Sequence, residues 1–464
     1  MGYAKRRVYL QHTKINVYID NNYVMLSNLS KEAKALFTEC FTFNDSSKAF
    51  NASGRFDGRR IKKVKLYTIK GDKILLYSGF LKEVLDVVKK YELPVKILDK
   101  RKKVKEVKKD MRSFFPKEFS YTDHQEDALS AMLKTHCGII KAPTSSGKSS
   151  VIIAYLKATK LPAIVLVNKI DLANQLYRNF KDAGLDTGIC TGKQVLDGKI
   201  MVSTIFSVKK IPNIHSFPLV IVDEVHHASS SVYQNLFKDI LFDFRFGFSA
   251  TPKVSDAYRW ALTRQFIGSI IYEVDAKILM DKKVLAKPTI HFLNHDCKPT
   301  LDWESGYQIN IIYNDTRNNM IKKLVDDNML STLIIVRYVD HGKTLKEMMP
   351  DAVFLFGETP IKDRQQAIED FENKKIKTII ATSIFNEGIS INAIQLLVIA
   401  SGGKSSVEVA QRLGRSLRID PKRDKYTVDV YDFLDKGNRF TERHAKQRIG
   451  IYKKSGFKVL LPNS

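Results

Sequence analysis

The chain has 464 residues, of which 44% are hydrophobic and 27% are charged, and this composition is typical of a soluble globular protein with two to four domains. The net charge of +26 favours a polyanionic partner, above all nucleic acid, over a surface that is merely basic. No apolar run approaches the length of a membrane span, about 20 residues, and there is no signal-peptide pattern. The four scattered cysteines argue against a disulfide framework or a zinc site. We therefore expect a cytoplasmic protein without a membrane partner.

The first 112 residues have the pattern of a small α+β domain that is strongly basic. Short β-like runs are followed by a helical pattern from 79 to 90 and by a candidate strand at 95–98. This stretch holds 27 Lys and Arg against 12 Asp and Glu, which is more than half of the excess positive charge of the chain. The basic run at 100–109 is too polar to pack and is predicted to be a linker.

Three arginines of this region flank a glycine turn and an aromatic residue. Arg55, Arg59 and Arg60 lie next to Phe56 and Gly58. Guanidinium groups in such a turn suit contact with the phosphates of DNA. A loop that is simply solvated is the alternative interpretation.

The stretch from 142 to 149, Ala-Pro-Thr-Ser-Ser-Gly-Lys-Ser, lies between two apolar runs and predicts a strand, a tight loop and a helix. Backbone N–H groups that converge in such a loop, together with the helix N-terminus, can bind a phosphate chain. Lys148 would contact the β- and γ-phosphates of ATP, and the Ser149 hydroxyl would bind Mg²⁺. Ala142 stands where such loops usually begin with glycine. The predicted nucleotide-binding residues of the loop are Thr144, Ser145, Ser146, Gly147, Lys148 and Ser149.

Residues 113 to 288 alternate strand-like and helical patterns, which predicts an α/β fold with a parallel sheet and ligands at the carboxyl ends of its strands. Asp223 and Glu224 directly follow the apolar run at 219–222. Two carboxylates at the end of a buried strand cost free energy because charges lose their hydration, so their presence indicates a function. Asp223 could hold Mg²⁺, and Glu224 could orient and deprotonate the attacking water.

The sequence at 223–226, Asp-Glu-Val-His, followed by Ser-Ala-Thr-Pro at 249–252, resembles the superfamily 2 helicases and translocases. The resemblance implies two tandem RecA-like domains, at 113–288 and 289–464, that follow a basic DNA-binding domain at 1–112. It also implies that Gln125 reads the adenine of ATP, although Thr122 stands where relatives often have arginine. The residues that resemble the DNA-backbone motifs of the first motor domain are Asn168, Lys169, Thr191, Gly192 and Thr204.

The second motor domain has a further series of strand patterns but no second phosphate loop. By resemblance, Thr382 would contact the DNA backbone, and Glu387 and Gly388 would line the nucleotide site. The stretch at 411–418 resembles the family's arginine-finger motif, in which Gln411, Arg415 and Arg418 would act in catalysis. The arginines are three residues apart, so a helix would present both on one face. A merely solvated basic helix is the alternative.

Segments at 385–391, 402–405 and 445–452 resemble the branch-migration helicases of T-even phages, and we expect a homologue from a T-odd phage. The sequence therefore predicts an ATP- and Mg²⁺-dependent DNA helicase that acts on single-stranded and branched duplex DNA in the host cytoplasm. Its processes would be DNA recombination, repair or replication. A monomer is compatible with the sequence, which does not determine the oligomeric state. An RNA helicase, the motor of a restriction or nuclease system, and a non-hydrolysing nucleic-acid-binding protein remain alternatives.

Overall fold

The computed structural model describes residues 14–46, 61–102, 110–116, 122–192, 194–253, 256–382, 393–403 and 427–462. The chain divides into two compact units. The first comprises Met1–Ala142 and Gly147–Glu273, and the second comprises Pro143–Ser146 and Val274–Ser464. The predicted domain boundaries at 112 and 288 stay predictions.

The amino-terminal part of the first unit is a twisted sheet with two helices. Its elements are β1 (Ile15–Ile19), β2 (Tyr23–Ser27), α1 (Lys31–Cys40), β3 (Thr42–Asp45), β4 (Lys62–Lys65), β5 (Thr68–Lys70), β6 (Lys73–Tyr77), α2 (Leu81–Lys90) and β7 (Val95–Asp99). The main sheet has the order β5-β6-β2-β1-β7, while β3 and β4 pair separately. Residues Ile15, Val17 and Ile19 are buried in alternation with more exposed neighbours, as expected of a strand with one face on a core.

The rest of the first unit is an eight-stranded sheet with helices. Its elements are α3 (Asp123–Leu133), β8 (Cys137–Lys141), α4 (Lys148–Thr159), β9 (Ala163–Val167), α5 (Ile170–Asp182), β10 (Thr187–Thr191), β11 (Gln194–Leu196), β12 (Ile200–Thr204), β13 (Leu219–Asp223), α6 (Ser231–Asp239), β14 (Phe244–Ser249), α7 (Ala257–Ile267) and β15 (Ile270–Glu273). The order is β11-β10-β12-β9-β13-β14-β8-β15, and all pairs are parallel except β10 with β11.

Full burial of the central strands explains their sequences. All five residues of β9, Ala-Ile-Val-Leu-Val, are buried, because helices cover both faces of a parallel sheet. The carboxyl ends of β9, β12, β13, β14 and β8 lie along one edge, which positions the loops that follow them. We call this edge the ligand edge.

The amino-terminal sheet and the eight-stranded sheet are joined within the first unit by buried contacts. Ala261 of α7 is part of the amino-terminal hydrophobic core, and Tyr258 and Leu262 pack against it. Arg264 of α7 forms an ion pair with Glu83 of α2. The amino-terminal part is therefore packed on the motor sheet through α7.

The second unit is built on a seven-stranded, wholly parallel sheet. Its elements are α8 (Ala276–Asp281), β16 (Lys287–Asp296), α9 (Trp303–Tyr307), α10 (Asp315–Asn328), β17 (Thr332–Ile335), α11 (Val339–Met348), β18 (Val353–Leu355), α12 (Ile361–Glu372), β19 (Thr378–Ala381), β20 (Leu396–Ile399), β21 (Thr427–Lys436), α13 (Arg439–Lys454) and β22 (Lys458–Leu460). The strand order is β18-β19-β17-β20-β21-β16-β22. The predicted α/β fold with parallel sheets is confirmed. None of the described helices has the length and apolar character needed to cross a membrane.

Candidate active site

The predicted phosphate-binding loop lies between β8 and α4, at the ligand edge. Gly147 ends it with φ +84°, a left-handed conformation that glycine adopts without strain. A Cβ atom at this position would lie 2.0 Å from the Nε2 atom of Gln125, so a larger residue would force the Gln125 side chain to move. Gln125 itself is buried, and its Oε1 atom accepts a hydrogen bond from the backbone N–H of Thr122 at 3.2 Å. The predicted adenine-reading residue thus lies against the loop.

Lys148 is the first residue of α4, and its ammonium group lies in an unusual environment. The Nζ atom is buried and has no hydrogen-bond partner among the described residues. Its salt-bridge partner, the Oε1 atom of Glu224, is 3.9 Å away, too far for a hydrogen bond. The hydroxyl oxygen of Thr144 in the same loop is also buried without a described partner. Because a buried ammonium group without hydrogen bonds is costly, this position fits an anionic ligand such as a phosphate.

The acidic pair ends β13, as the sequence predicts. Glu224 has a left-handed backbone with φ 54°, an uncommon conformation for a non-glycine residue. Its Oε2 atom accepts a hydrogen bond from the Ser249 hydroxyl at 3.1 Å and lies 3.3 Å from Nδ1 of His226. Ser249 ends the neighbouring strand β14. The backbone and these two side chains together fix the direction of the Glu224 carboxylate.

The environments of Asp223 and Glu224 shift the pKa values of their carboxyl groups in opposite directions. Burial, and then the charge of Glu224, raise the pKa of Asp223 to about 6. Burial would raise the pKa of Glu224 as well, but the charge of Lys148 and the contacts with His226 and Ser249 lower it to about 2. Glu224 is therefore ionised and able to accept a proton, which is the state that a general base requires.

Ser149 and Asp223 offer the oxygen atoms that a magnesium ion prefers. A hydroxyl and a carboxylate are hard ligands. Burial of the Asp223 carboxyl group raises its pKa, and a divalent cation would compensate for its charge. The donor set therefore fits Mg²⁺, as the sequence predicts.

Sequence analysis did not assign roles to Ser249 and His226, although both lie in motifs that it recognised. The hydrogen bond between Ser249 and Glu224 joins the ends of adjacent strands, and such a pair is visible only once the strand order is known. The predicted DNA-contact residues of the first unit also meet at the ligand edge. Thr204 lies opposite Val167 in the register of β12 and β9, so it is close to the position from which Asn168 and Lys169 start.

Ser207 connects two of these predicted residues, Gly192 and Thr204. Its Oγ atom accepts hydrogen bonds from the backbone N–H of Gly192 at 2.9 Å and from the Thr204 hydroxyl at 3.0 Å. Thr191 and Thr204 are both buried, and Asn168 accepts a hydrogen bond from the Tyr233 hydroxyl at 2.9 Å. These hydrogen bonds fix the loops at the ligand edge. Sequence analysis did not predict the contribution of Ser207.

The remaining predicted positions are in other parts of the chain. Thr382 of the second unit follows β19 and is buried, and its backbone N–H donates to Leu355 at 3.1 Å. Eight predicted residues lie outside the described residues: Arg55, Arg59, Arg60, Glu387, Gly388, Gln411, Arg415 and Arg418.

A buried cluster in the second unit brings together three groups that could in principle hold a metal. Atoms of His295, Cys297 and Asp435 lie within 4.8 Å of one another. Arg317, however, donates to the same Asp435 oxygen that His295 contacts, at 3.0 Å, so a guanidinium already compensates this carboxylate. Burial raises the pKa of the Cys297 thiol to about 12. The cluster is thus a buried polar network of the fold.

Two family models match the chain in succession. One, described as "Type III restriction enzyme, res subunit", matches residues 118–254, and the other, described as "Helicase conserved C-terminal domain", matches residues 315–420. The first match includes the phosphate-binding loop and the acidic pair. The second includes the arginines predicted to act as fingers. Both are helicase-class domains, so the predicted enzyme class, an ATP-dependent helicase, is confirmed at the level of the domains.

Relatives of the chain include viral and archaeal proteins. Putative helicase 22 of Sulfolobus islandicus filamentous virus is 28% identical over 63% of this chain and 60% of its own length. The DNA 3'-5' translocase XPB2 of Sulfurisphaera tokodaii is 23% identical over 68% of this chain and 81% of its own length. Probable helicase D10 of Escherichia phage T5 is 28% identical over 60% of this chain and 62% of its own length. The chain thus covers less than two thirds of the two viral relatives.

Two solved structures align with this chain, and the first of them supports the fold. Yeast Dbp5 bound to RNA and ADP BeF3 is 17% identical, with a TM-score of 0.54 over 73% of this chain and 90% of Dbp5. UvsW of T4 aligns over 97% of this chain and 99% of its own, with 19% identity and a TM-score of 0.44. With the two domain matches in order along one chain, and with viral helicases among its relatives, the chain carries the two motor domains of a superfamily 2 helicase.

Proposed function

We propose that this protein is an ATP-driven DNA helicase or translocase that remodels forked and Holliday-type DNA in recombination, repair or replication. The observation that carries the proposal is the buried Lys148 ammonium, which has no hydrogen-bond partner among the described residues and lies 3.9 Å from an ionised Glu224. A cation and a base at this spacing suit the hydrolysis of a phosphoanhydride. The name of the archaeal relative, a DNA translocase, supports DNA as the polymer.

Each residue of the site has a task in this proposal. The loop and the N-terminus of α4 bind the phosphates, Lys148 balances their charge, and Gln125 recognises the adenine. Glu224 accepts a proton from the attacking water, while Ser249 and His226 hold its carboxylate in direction. Magnesium, held by Ser149 and Asp223, would neutralise charge on the phosphates when bound. Arg415 and Arg418 are proposed to stabilise charge on the transferred phosphate.

The single strand is proposed to follow the ligand edge of the first unit, past Asn168, Lys169, Gly192 and Thr204. Backbone N–H groups and short polar side chains offer donors without distinguishing bases. The proposal extends to Thr382 in the second unit. A motor of this kind reads the backbone, and its preference for a branch must come from another part of the chain.

The amino-terminal part of the first unit is the proposed holder of duplex arms. Three exposed lysines lie on β4, namely Lys62, Lys63 and Lys65, in addition to the predicted Arg55, Arg59 and Arg60. Because this part is packed on the motor sheet through α7, a duplex held by it would move together with the first motor domain. The chain is proposed to act as a monomer in the host cytoplasm.

The test compares binding and unwinding of forked, Holliday and plain duplex DNA by the full chain. We expect ATP-dependent remodelling of forks and Holliday junctions in preference to plain duplex. Replacing Lys62, Lys63 and Lys65 with Ala should reduce the slope of log affinity against log salt on forks by up to about 0.9 for each lysine that neutralises a phosphate. The matched control replaces three exposed lysines of the second unit, Lys323, Lys343 and Lys362. Equal activity on all three substrates would contradict the branched-DNA proposal.

The restriction-motor alternative is favoured by one observation, the match of residues 118–254 to the res subunit of type III restriction enzymes. A motor of that kind would hydrolyse ATP while moving on duplex DNA and would need a partner for cleavage. Fork unwinding by the purified chain alone distinguishes the two, because the restriction motor predicts ATP turnover on plain duplex without strand separation.

A further inference from the structure

Phe206 is a large apolar residue whose side chain is exposed to solvent, although the turn that carries it is held by hydrogen bonds. Its side chain is 77% exposed, more than any other aromatic residue that the structure describes. The residues around it are firmly buried, since Ile205 is 5% exposed and Val208 is 1% exposed, and both belong to the core of the first unit. The ring is exposed because its neighbours are fixed in the core, and not because the segment lacks packing.

The turn that carries Phe206 is held by hydrogen bonds on every side. The backbone N–H of Ile205 donates to Val167 of β9 at 3.1 Å, and that of Ser207 donates to Thr204 at 3.0 Å. The Ser207 hydroxyl accepts from the backbone N–H of Gly192 at 2.9 Å and from Thr204. The backbone of Phe206 is therefore fixed at the ligand edge, next to the residues proposed to contact the DNA backbone.

We propose that Phe206 stacks on an unpaired base of the bound strand. This inference rests on the proposed function and adds a contact to bases at a site that otherwise contacts only the backbone. One aromatic face is all that a base requires, and stacking tolerates any sequence because every base has a π-face. The ring is part of the same turn as the residues that would position a strand.

The surroundings of the ring favour a nucleic-acid base over a protein partner. Protein docking sites are contiguous apolar patches, whereas the exposed residues that follow Phe206 most closely in the chain are Lys209, which pairs with Asp239 at 2.7 Å, and Lys210. Lys210 donates to the carbonyl oxygen of Gly192 at 2.7 Å, which holds its positive charge beside the turn. An exposed ring close to a lysine in the chain matches the aromatic platforms on which single strands stack.

A role in stacking makes Phe206 selective for single strands. Bases in a duplex are already stacked on their neighbours, and their faces become free only where the strands have separated. The ring would thus contribute to binding of single-stranded DNA and very little to binding of plain duplex.

The experiment measures the affinity of the full chain, without nucleotide, for two fluorescent strands of equal length, an oligothymidylate and a strand of abasic sites. For Phe206→Ala we expect a loss of between about 5-fold and 150-fold on oligothymidylate, the range measured for one stacked base, and no loss on the abasic strand. Phe206→Trp should keep the affinity, and its additional indole fluorescence should be quenched when oligothymidylate binds. Phe206→Leu, which keeps an apolar side chain but no ring, should behave as the Ala variant.

Leu241→Ala is the matched control, because Leu241 is 48% exposed and precedes β14 at the opposite edge of the same sheet. It should bind both strands as the wild type does. Equal losses on both strands for Phe206→Ala, or unquenched fluorescence of Phe206→Trp under saturating oligothymidylate, would overturn the stacking role while the proposed function stands. If the wild-type chain bound neither strand, the proposed function would fail and this inference with it.

Discussion

Arg245 connects the two parts of the first unit, and its replacement tests whether the amino-terminal part is a fixed component of the motor. Its guanidinium is buried in β14 and donates to the carbonyl oxygens of Phe266 at 2.7 Å and Phe242 at 2.5 Å. It also donates to Asn22 at 2.9 Å and to the hydroxyl of Ser78. Asn22 and Ser78 belong to the amino-terminal part, so one side chain joins it to the eight-stranded sheet.

Arg245→Met keeps most of the volume and removes all of the donors. Four acceptors then lose a charged donor, and each buried acceptor that stays unsatisfied costs about 1–3 kcal/mol. The substitution also removes the free-energy cost of burying a cation. Burial lowers the pKa of Arg245, which indicates that this cost exists. Since these effects partly cancel, we expect a net loss of about 3 kcal/mol in the free energy of unfolding of the first unit. With an m-value of about 3 kcal/mol per molar urea, the midpoint should fall by about 1 M.

The two tryptophans of the chain make this measurable, because Trp260 lies in α7 of the first unit and Trp303 in α9 of the second. In a Trp303→Phe background, urea unfolding followed by fluorescence reports on the first unit alone. Arg259→Met, an exposed arginine in α7, is the control and should leave the midpoint in place. If Arg245→Met left it in place as well, the amino-terminal part would not depend on this connection and our reasoning would be refuted.

Four further predictions follow from the nucleotide site and from the second unit. Lys148→Ala should abolish ATP turnover in a steady-state assay and leave DNA binding without nucleotide intact, whereas Lys157→Ala on the same helix should keep both. Glu224→Gln should bind Mg-ATP normally but hydrolyse it about 10²–10⁴-fold more slowly in single turnover, because the water loses its base. Arg415→Ala should cost about 10³-fold or more in turnover at saturating ATP, and a pure loss of ATP affinity would contradict the finger role. Burial lowers the pKa of His341 to about 3. Below pH 6.5 the unfolded chain therefore binds a proton that the folded chain does not, and the free energy of unfolding should fall by about 1.4 kcal/mol for each pH unit. His341→Gln should flatten this pH dependence, as measured by thermal unfolding between pH 7.5 and 5.

The arrangement of the proposed nucleotide site was predictable from sequence because its residues lie in short motifs directly after strands. Lys148 and Glu224 are separated by 75 intervening residues, yet each follows the carboxyl end of a strand in a parallel sheet, and that rule alone brings them to the same edge. The α/β fold was predictable for the same reason, since the fully buried strands read as continuous apolar runs.

Features that depend on packing between distant segments were not predictable. Arg245 looks like an ordinary strand residue, and nothing nearby in sequence indicates that Asn22 and Ser78 supply its acceptors from more than 160 residues away. A contact between distant segments was also missed in the basic linker predicted at 100–109, where Lys102 forms an ion pair with Asp243 at 2.7 Å. Phe206 was missed since exposure is a property of the folded turn and not of the residue type.

The central claim is that DNA binding drives ATP hydrolysis at the site of Lys148 and Glu224, and the most direct test is the rate of ATP turnover by the full chain. The rate should be measured with no polymer, with single-stranded DNA and with single-stranded RNA of the same sequence, each at saturating concentration. We predict a low rate alone, a strong stimulation by single-stranded DNA and a smaller effect of RNA. A rate that no polymer changes, or a stimulation by RNA that exceeds that by DNA, would contradict the account.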